Sequence, residues 1–138
     1  MKVLLLEDDI ALSDLLNEHL EDKGYEVTLC TNGQEALEAL IDKKFDIALL
    51  DINTPVITGI EVLKRVRIEY KNNTPIIILT AYQDTKHLKE SFENGVDDYI
   101  KKPFDLEELD QRILKLCRQF LIEQDEKIKI DENLFFEP

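Results

Sequence analysis

Five short apolar runs recur along the chain, and each is followed by a segment with helical periodicity. The first, third and fourth runs are apolar at nearly every position, which is typical of strands covered on both faces of a parallel sheet. The second run alternates between apolar and polar residues, which favours an edge strand. Strand and helix therefore alternate five times, and this order predicts a doubly wound α/β domain with helices on both faces of its sheet. The predicted strands are residues 3–6, 26–30, 47–50, 76–79 and 99–100.

The helical segments each carry apolar residues on one predicted face. Gly24 and Gly95 follow two of these segments as stop signals. Asp105 opens the last segment as an N-cap residue, with Glu108 three positions later. The residues predicted to face the core are Leu12, Leu15, Leu16 and Leu20 in the first helix; Ala36, Leu37, Leu40 and Ile41 in the second; Ile60, Leu63, Val66 and Ile68 in the third; Leu88 and Phe92 in the fourth; and Leu109, Ile113, Leu116, Cys117 and Phe120 in the last.

The charge of the chain limits its partners. It has 138 residues, with 17 Lys and Arg against 30 Asp and Glu, which gives a formal net charge of −13. The length suits one domain, and 43% hydrophobic residues suffice for a core. Such an acidic chain is a poor ligand for DNA or an anionic membrane, so we expect a cationic ligand or partner. A solvated surface is also rich in acids, so the charge alone assigns no site.

Two further classes of protein are disfavoured by the sequence. The apolar stretches are four to six residues long, which is far short of a bilayer span, and the N terminus begins a strand-like run rather than a basic leader. We therefore expect a soluble, cytoplasmic protein without membrane contact. Cys30 and Cys117 lie far apart, without CxxC or His-rich spacing. We expect neither a zinc site nor a disulfide, and interpret both as small buried apolar residues.

Polar residues end each central strand of the predicted sheet. In open α/β sheets, ligands bind outside the carboxyl ends of the strands. We therefore expect the terminating side chains to converge at one ligand-binding edge. These residues are Glu7, Asp8 and Asp9 after the first run, Asp51 after the third, Thr80 after the fourth, and Lys101, Lys102 and Pro103 after the fifth.

The chemistry of these side chains suggests a cation and a phosphoryl group. A cluster of carboxylates repels itself unless a cation is bound, and oxygen ligands without His or Cys suit a hard cation such as Mg²⁺. Mg²⁺ commonly bridges carboxylates to a phosphoryl oxygen, which leaves a lysine and a hydroxyl to hold the others, and this points to phosphoryl transfer onto a carboxylate. The alternative is that strand-end acids are helix N-caps. That would account for Asp9 or Asp105, but not for Asp51 together with Lys102 and Thr80.

Four blocks of sequence share one order with a known family. They are residues 4–9, Asp51 with Pro55 and Gly59 four and eight positions later, residues 78–81, and residues 95–104. Together they resemble the receiver domains of bacterial two-component response regulators. The resemblance covers about residues 1–121 and leaves residues 122–138 as a linker and possible start of a missing effector domain. It implies a flavodoxin-like sheet of five parallel strands in the order 2-1-3-4-5.

The resemblance implies a role for each matching residue at the sheet edge. Asp51 would accept a phosphoryl group from a sensor histidine kinase, and the domain would catalyse only its own phosphorylation and dephosphorylation. Lys102, which directly precedes Pro103 in a cis peptide bond, would hold the phosphoryl group together with the hydroxyl of Thr80. The Mg²⁺ ligands would be Asp8, Asp51, the main-chain carbonyl of Asn53 and, through a water, Glu7.

The resemblance also implies a switch and a dimer. Tyr99 would rotate inward as Thr80 moves, which would change the face built by the fourth helix, the fifth strand and the fifth helix. This part of the sequence looks like the winged-helix, DNA-binding class, which forms homodimers through that face on phosphorylation. Leu88 stands where that class usually has a basic residue, and Lys89 is the candidate replacement. The predicted dimer-face residues are Asp97, Asp98, Glu108 and Arg112.

The end of the chain has a different pattern. Residues 127–131 alternate and precede the pair Phe135 and Phe136, and they resemble the opening strands of that class's effector domain. We therefore expect a strand or a flexible end there, with DNA bound only through residues beyond Pro138. Two alternatives stay open, a stand-alone receiver and a haloacid-dehalogenase-type phosphatase. The phosphatase is disfavoured because Asn53, at the position of its second aspartate, cannot transfer protons.

Overall fold

The computed structural model describes residues 1–81 and 85–136, with side chains described up to residue 121 and at residue 123. Within these ranges a single sheet of five parallel strands has the order β2-β1-β3-β4-β5. This order confirms the predicted doubly wound α/β fold. The elements in chain order are β1 Lys2–Leu6, α1 Ile10–Asp22, β2 Glu26–Cys30, α2 Gly33–Asp42, β3 Ile47–Asp51, α3 Gly59–Ile68, β4 Ile76–Ala81, α4 Thr85–Glu93, β5 Asp98–Lys102 and α5 Leu106–Phe136.

The two faces of the sheet carry separate hydrophobic cores. Along β1, Leu4 and Leu6 belong to one core cluster, whereas Val3 and Leu5 belong to the other. All five residues of β3 are buried, as the apolar composition of a central strand requires. β2 lies at the edge of the sheet and is partly exposed, which confirms the prediction from its alternating sequence. β5 is longer than predicted, because pairing with β4 extends it into the polar residues Asp98, Lys101 and Lys102.

A polar side chain caps the N terminus of each of the first three helices. The side chain of Asp9 accepts a hydrogen bond from the Leu12 N–H at 2.9 Å, and Asn32 and Thr58 cap α2 and α3 in the same way. Each cap satisfies an N–H group that the helix itself leaves without a partner. Asp9 is therefore explained as an N-cap, which supports its omission from the predicted metal ligands.

Four apolar residues predicted to face the core are exposed instead. The exposed fractions are 50% for Leu15, 42% for Ile41, 66% for Ile68 and 51% for Phe92. Consecutive helical residues are separated by about 100° around the axis, so the buried stripe of a helix does not include both members of every adjacent pair. For three of the four exposed residues, a neighbour takes the core position. These neighbours are Leu16 beside Leu15, Leu40 beside Ile41, and Ser91 beside Phe92.

Helix α5 continues to Phe136, so the strand expected around residues 127–131 is not formed. An isolated strand would leave its backbone groups without ladder partners, whereas a helix satisfies them internally. The alternating apolar residues therefore do not decide the backbone conformation of this segment. No helix in the described ranges, α5 included, is long and apolar enough to cross a membrane. Cys30 is buried as expected, and Cys117 is half-buried; both are free thiols.

Candidate functional site

The register of the sheet brings the predicted site residues to one edge. β1 and β3 are adjacent, with Leu6 opposite Leu50, so Glu7 and Asp51 follow at neighbouring positions. β4 lies on the other side of β3 and ends beside β5, where Ala81 pairs with Lys102. The carboxyl ends of β1, β3 and β5 therefore supply two acids and a lysine at a single edge.

Three carboxylates form the centre of this site. Glu7, Asp8 and Asp51 each offer an oxygen, and these atoms all lie within 4.8 Å of one another. Glu7 is fully buried and Asp51 is 8% exposed, whereas Asp8 is open to solvent. Three carboxylates at such distances repel one another unless a cation or protons are shared among them.

Lys102 supplies one positive charge to this cluster. Its Nζ lies 2.5 Å from Oε1 of Glu7 and 3.5 Å from Oδ1 of Asp51. Burial alone would lower the pKa of Lys102, but the carboxylates of Glu7 and Asp51 outweigh it, so its pKa lies above the ordinary value. Lys102 is therefore a fixed cation at the phosphoacceptor candidate. The peptide bond between Lys102 and Pro103 is cis, as the family resemblance implies.

The pKa of Asp51 is raised to about 7, first because burial disfavours its charged form and then because of the neighbouring Glu7. Lys102 lowers the pKa but does not offset these two effects. Without a bound cation, the site therefore holds a proton near neutral pH. A divalent cation would compete with that proton and leave Asp51 ionised.

The donor set fits a hard divalent cation. Among the described side chains, Oε2 of Glu7 is the buried polar atom without a hydrogen-bond partner. An unpartnered buried carboxylate oxygen is costly, and a cation or its bound water would satisfy it. The ligand atoms are all oxygens, which suits Mg²⁺ rather than a soft transition metal.

The loop after Asp51 is tightly packed against the strand. The Gly59 N–H donates to the carbonyl of Ile52 at 2.8 Å, and a Cβ at Gly59 would lie 1.9 Å from the carbonyl oxygen of Asp51. Glycine is therefore required at this position. Thr54 is buried and donates its hydroxyl to the carbonyl of Ile57 at 2.9 Å, whereas Asn53 is exposed. Packing thus fixes the main chain on both sides of Asn53.

The predicted switch residues lie on β4 and β5 and have contacts of their own. Thr80 is 1% exposed, and its hydroxyl donates to the carbonyl of Ala81 at 3.4 Å. Tyr99 is half-buried on β5, where its ring lies between Phe92 of α4 and Arg112 of α5.

The four predicted dimer-face residues lie in two groups. Arg112 binds Asp98 at 2.9 Å and Glu108 at 3.2 Å, so these three charges form one cluster beside Tyr99. Asp97 instead binds Arg67 at 3.0 Å and accepts a hydrogen bond from the Ile76 N–H at 2.8 Å. The structure thus commits Asp97 to an internal contact, and its part in a dimer stays a prediction.

The sequence model of the family described as response regulator receiver domain matches residues 3–114. The chain belongs to this family. It is the receiver domain of a two-component response regulator, which is a signalling domain. Receiver domains bind Mg²⁺ at an acidic site, and the described part of this one contains an acidic cluster of Glu7, Asp8 and Asp51.

Relatives and solved structures agree with this assignment. Over 135 residues the receiver is 42% identical to the transcriptional regulatory protein CrdR of Helicobacter pylori; the match covers 98% of the chain and 61% of CrdR. The chain thus spans about three fifths of that relative. The receiver domain of the Francisella response regulator 1452 is 34% identical with a TM-score of 0.79, covering 86% of this chain and 98% of that one.

A receiver domain solved with magnesium is also similar. It belongs to a sensor histidine kinase of Pseudomonas aeruginosa, and a magnesium ion is coordinated in its active-site cleft. It is 29% identical to this chain with a TM-score of 0.77, and the match covers 84% of this chain and 96% of that one.

Two contacts of this receiver were not predicted from its sequence. Phe92 was assigned to the core, yet its ring meets Tyr99 on the surface. The sequence assigns no role to Arg67, yet its side chain joins α3 to the segment before β5 through Asp97 and Gly95. The small polar residue Ser91 directly precedes Phe92. This neighbour is the signal in the sequence that could have indicated an exposed position for Phe92.

Proposed function

We propose that phosphorylation of Asp51 switches this receiver domain and thereby controls transcription. The proposal rests on one arrangement, the contact of Lys102 with both Glu7 and Asp51 beside the exposed carboxylate of Asp8. It places an acceptor oxygen, a fixed cation and a set of metal-ligand oxygens at the same strand ends. Phosphoryl transfer to a carboxylate requires these three kinds of group close together.

The transfer step uses the ionised form of Asp51. One carboxylate oxygen of Asp51 forms a bond to phosphorus while the bond between phosphorus and the donor's histidine nitrogen breaks. The electron pair of that bond leaves with the imidazole. Lys102 neutralises charge on the phosphoryl oxygens, and the Thr80 hydroxyl donates to one of them after leaving the Ala81 carbonyl.

The four proposed metal ligands come from two segments of the chain, residues 7–8 and residues 51–53. Asp8 and Asp51 bind through carboxylate oxygens, Asn53 through its main-chain carbonyl, and Glu7 through a water. When bound, Mg²⁺ neutralises charge on the transferring phosphoryl group. Burial of Glu7 and Asp51 strengthens this effect, because the local dielectric is lower than that of water.

The output of the switch is a change in assembly. The move of Thr80 draws Tyr99 inward and alters the face of α4, β5 and α5, so that two receivers pair through the charges of Asp98, Glu108 and Arg112. We assign residues 1–121 to the receiver and residues 122–138 to a linker that leads to an effector domain of the winged-helix class. DNA is then bound only by that effector, as the net charge of −13 requires of this chain.

The test of this proposal is stoichiometric labelling of the chain by acetyl phosphate with Mg²⁺, followed by intact mass spectrometry. We expect one phosphoryl group on the wild type, none on Asp51→Asn, and one on Asp9→Asn. The last variant is the matched control, because it removes the same charge beside the site while asparagine preserves the N-cap of α1. Equal labelling of wild type and Asp51→Asn would overturn the assignment.

A second assay, hydrolysis of a generic phosphate ester, separates the alternatives. Sustained hydrolysis over many turnovers would favour the phosphatase, whereas a single labelling event by acetyl phosphate favours the receiver. The family match over residues 3–114 already favours the receiver. A coding sequence that ends soon after residue 138 would identify a stand-alone receiver and remove the effector domain from the proposal.

A further inference from the structure

The ring of Tyr99 is held between two other elements. From α4, Phe92 meets it edge to face, with ring centroids 5.5 Å apart and ring planes at 87°. From α5, the guanidinium carbon of Arg112 lies 6.0 Å from the Tyr99 centroid. Both geometries are favourable. In an edge-to-face pair the positive edge of one ring meets the electron-rich face of the other, and in a cation–π pair the cation lies over the electron-rich face of the ring. Tyr99 is half-buried and packs against the hydrophobic core as well, so a further inward rotation would move its ring relative to both Phe92 and Arg112.

The position of Phe92 is not explained by packing in the core. Its side chain is 51% exposed, and the adjacent Ser91 occupies the inward-facing position with 0% exposure. The Ser91 hydroxyl is satisfied by the carbonyl of His87 at 2.8 Å. An exposed aromatic side chain on α4 thus retains a defined contact with the one ring whose position is proposed to change.

Arg112 is fixed independently of the ring. Its guanidinium binds Asp98 of β5 at 2.9 Å and Glu108 of α5 at 3.2 Å. These two ion pairs hold the cation beside Tyr99 whatever the state of Phe92. Phe92 is therefore the partner of Tyr99 that can be removed without disturbing the charged cluster.

We propose that Phe92 is a positioning residue that holds Tyr99 at the surface and so sets the threshold at which phosphorylation moves it. This inference rests on the proposed role of Thr80 and Tyr99. Loss of the edge-to-face contact should raise the ratio of inward to surface Tyr99 in the unphosphorylated receiver by roughly 2- to 12-fold, the factor that corresponds to one aromatic pair.

The test uses the full chain labelled with 3-fluorotyrosine and followed by fluorine NMR. The chain has four tyrosines, and Tyr99→Phe identifies the Tyr99 resonance by its absence. The readout is the shift of that resonance between H₂O and D₂O, which reports solvent exposure of the ring. The sign of the change in this shift distinguishes a ring that moves from a ring that stays in place. Loss of Phe92 without movement of Tyr99 exposes the ring and increases the shift, whereas inward rotation buries the ring and decreases it.

We expect the solvent shift to fall in unphosphorylated Phe92→Ala and to stay at the wild-type value in Phe92→Tyr, which keeps a ring. Leu114→Ala is the matched control, since it removes an exposed apolar side chain from α5, and it should match wild type. An unchanged or larger shift in Phe92→Ala would overturn the inference. If acetyl phosphate with Mg²⁺ labels wild type but leaves its Tyr99 shift unchanged, the switch itself is wrong; if wild type responds and Phe92→Ala does not differ, only the role of Phe92 is wrong.

Discussion

The raised pKa of Asp51 is the most informative single property of the site. Its carboxyl has an ordinary pKa of 3.8 and a folded-state pKa of about 7, raised by burial and by Glu7. Between these values the folded state binds more protons than the unfolded state. The contribution of this group to stability is therefore fully present below about pH 4 and is lost as pH rises through 7.

A pH series on Asp51→Asn tests this directly. In chelator, without Mg²⁺, we expect the variant to be more stable than wild type at pH 8 by roughly 1–4 kcal/mol, because it lacks the ionised carboxylate. The difference should shrink as pH falls from about 7 to 4. Urea unfolding at each pH measures it. A difference that is constant across this range would contradict the raised pKa.

Lys102 is expected to separate phosphorylation from switching. Lys102→Ala removes the cation next to Asp51 but none of the proposed metal ligands, so Mg²⁺ binding should persist. The phosphoryl group would then lack the contact that fixes it near Thr80, and Tyr99 should keep its unphosphorylated solvent shift even in labelled protein. Lys101→Ala is the control, since Lys101 is adjacent in sequence. A normal response of Tyr99 in Lys102→Ala would show that the lysine is not part of the switch.

At the scale of single elements, apolar patterning predicted the strands better than the helix faces. A central strand such as β3 is buried on both sides, so its composition alone identifies it. A helix buries only one stripe, and of the neighbouring apolar residues Leu15 and Leu16 only Leu16 lies in it. The end of α5 illustrates the other limit, because alternation predicts a strand only where a second strand is available to pair with it.

Arg67 of α3 joins the loop that follows its own helix to the segment that precedes β5. Its guanidinium, 14% exposed at the side chain, donates to the Gly95 carbonyl at 3.1 Å, the Asn72 carbonyl at 2.7 Å and the Asp97 carboxylate at 3.0 Å. Long-range contacts of this kind follow from the fold, and a single sequence without spatial neighbours does not show them.

The structure predicts unequal effects for two arginines of α3. Arg67→Ala removes the donor of two carbonyls and the ion-pair partner of Asp97, so we expect a loss of about 1–3 kcal/mol in the free energy of unfolding. Arg65→Ala removes only an exposed ion pair with Glu69 one turn away, and should cost less than about 0.5 kcal/mol. Urea unfolding of both variants provides the comparison. Equal losses would show that the buried contacts of Arg67 contribute nothing specific.

For the whole molecule, the acidic residues that produce the net charge of −13 fall into two groups. Most of the 30 acids lie on the surface and are not assigned to a site. Glu7, Asp8 and Asp51 differ because the order of the strands brings them within 4.8 Å of one another. Strand-end acids and family motifs predicted this group, but the burial of Glu7 and its contact with Lys102 required the structure.

The carboxylate cluster of Glu7, Asp8 and Asp51 predicts that Mg²⁺ stabilises the fold. A ligand bound only by the folded state at 100 times its dissociation constant adds about 2.7 kcal/mol, so saturating Mg²⁺ should raise the melting temperature. The effect should be lost in Asp8→Asn and kept in Asp9→Asn, which changes the same charge at a capping residue. Differential scanning calorimetry with and without Mg²⁺ measures it. Equal melting temperatures in the wild type would mean that the three acids hold no cation.

The central claim, that Asp51 is the phosphoacceptor, is tested most directly by locating the phosphoryl group. Borohydride reduces an aspartyl phosphate to homoserine, which marks the labelled residue permanently. After labelling with acetyl phosphate and Mg²⁺ and then reduction, peptide mass spectrometry should find homoserine at position 51, in an amount equal to the phosphoryl group incorporated. Homoserine at Asp8, Asp9 or another acid, with Asp51 unchanged, would contradict the account.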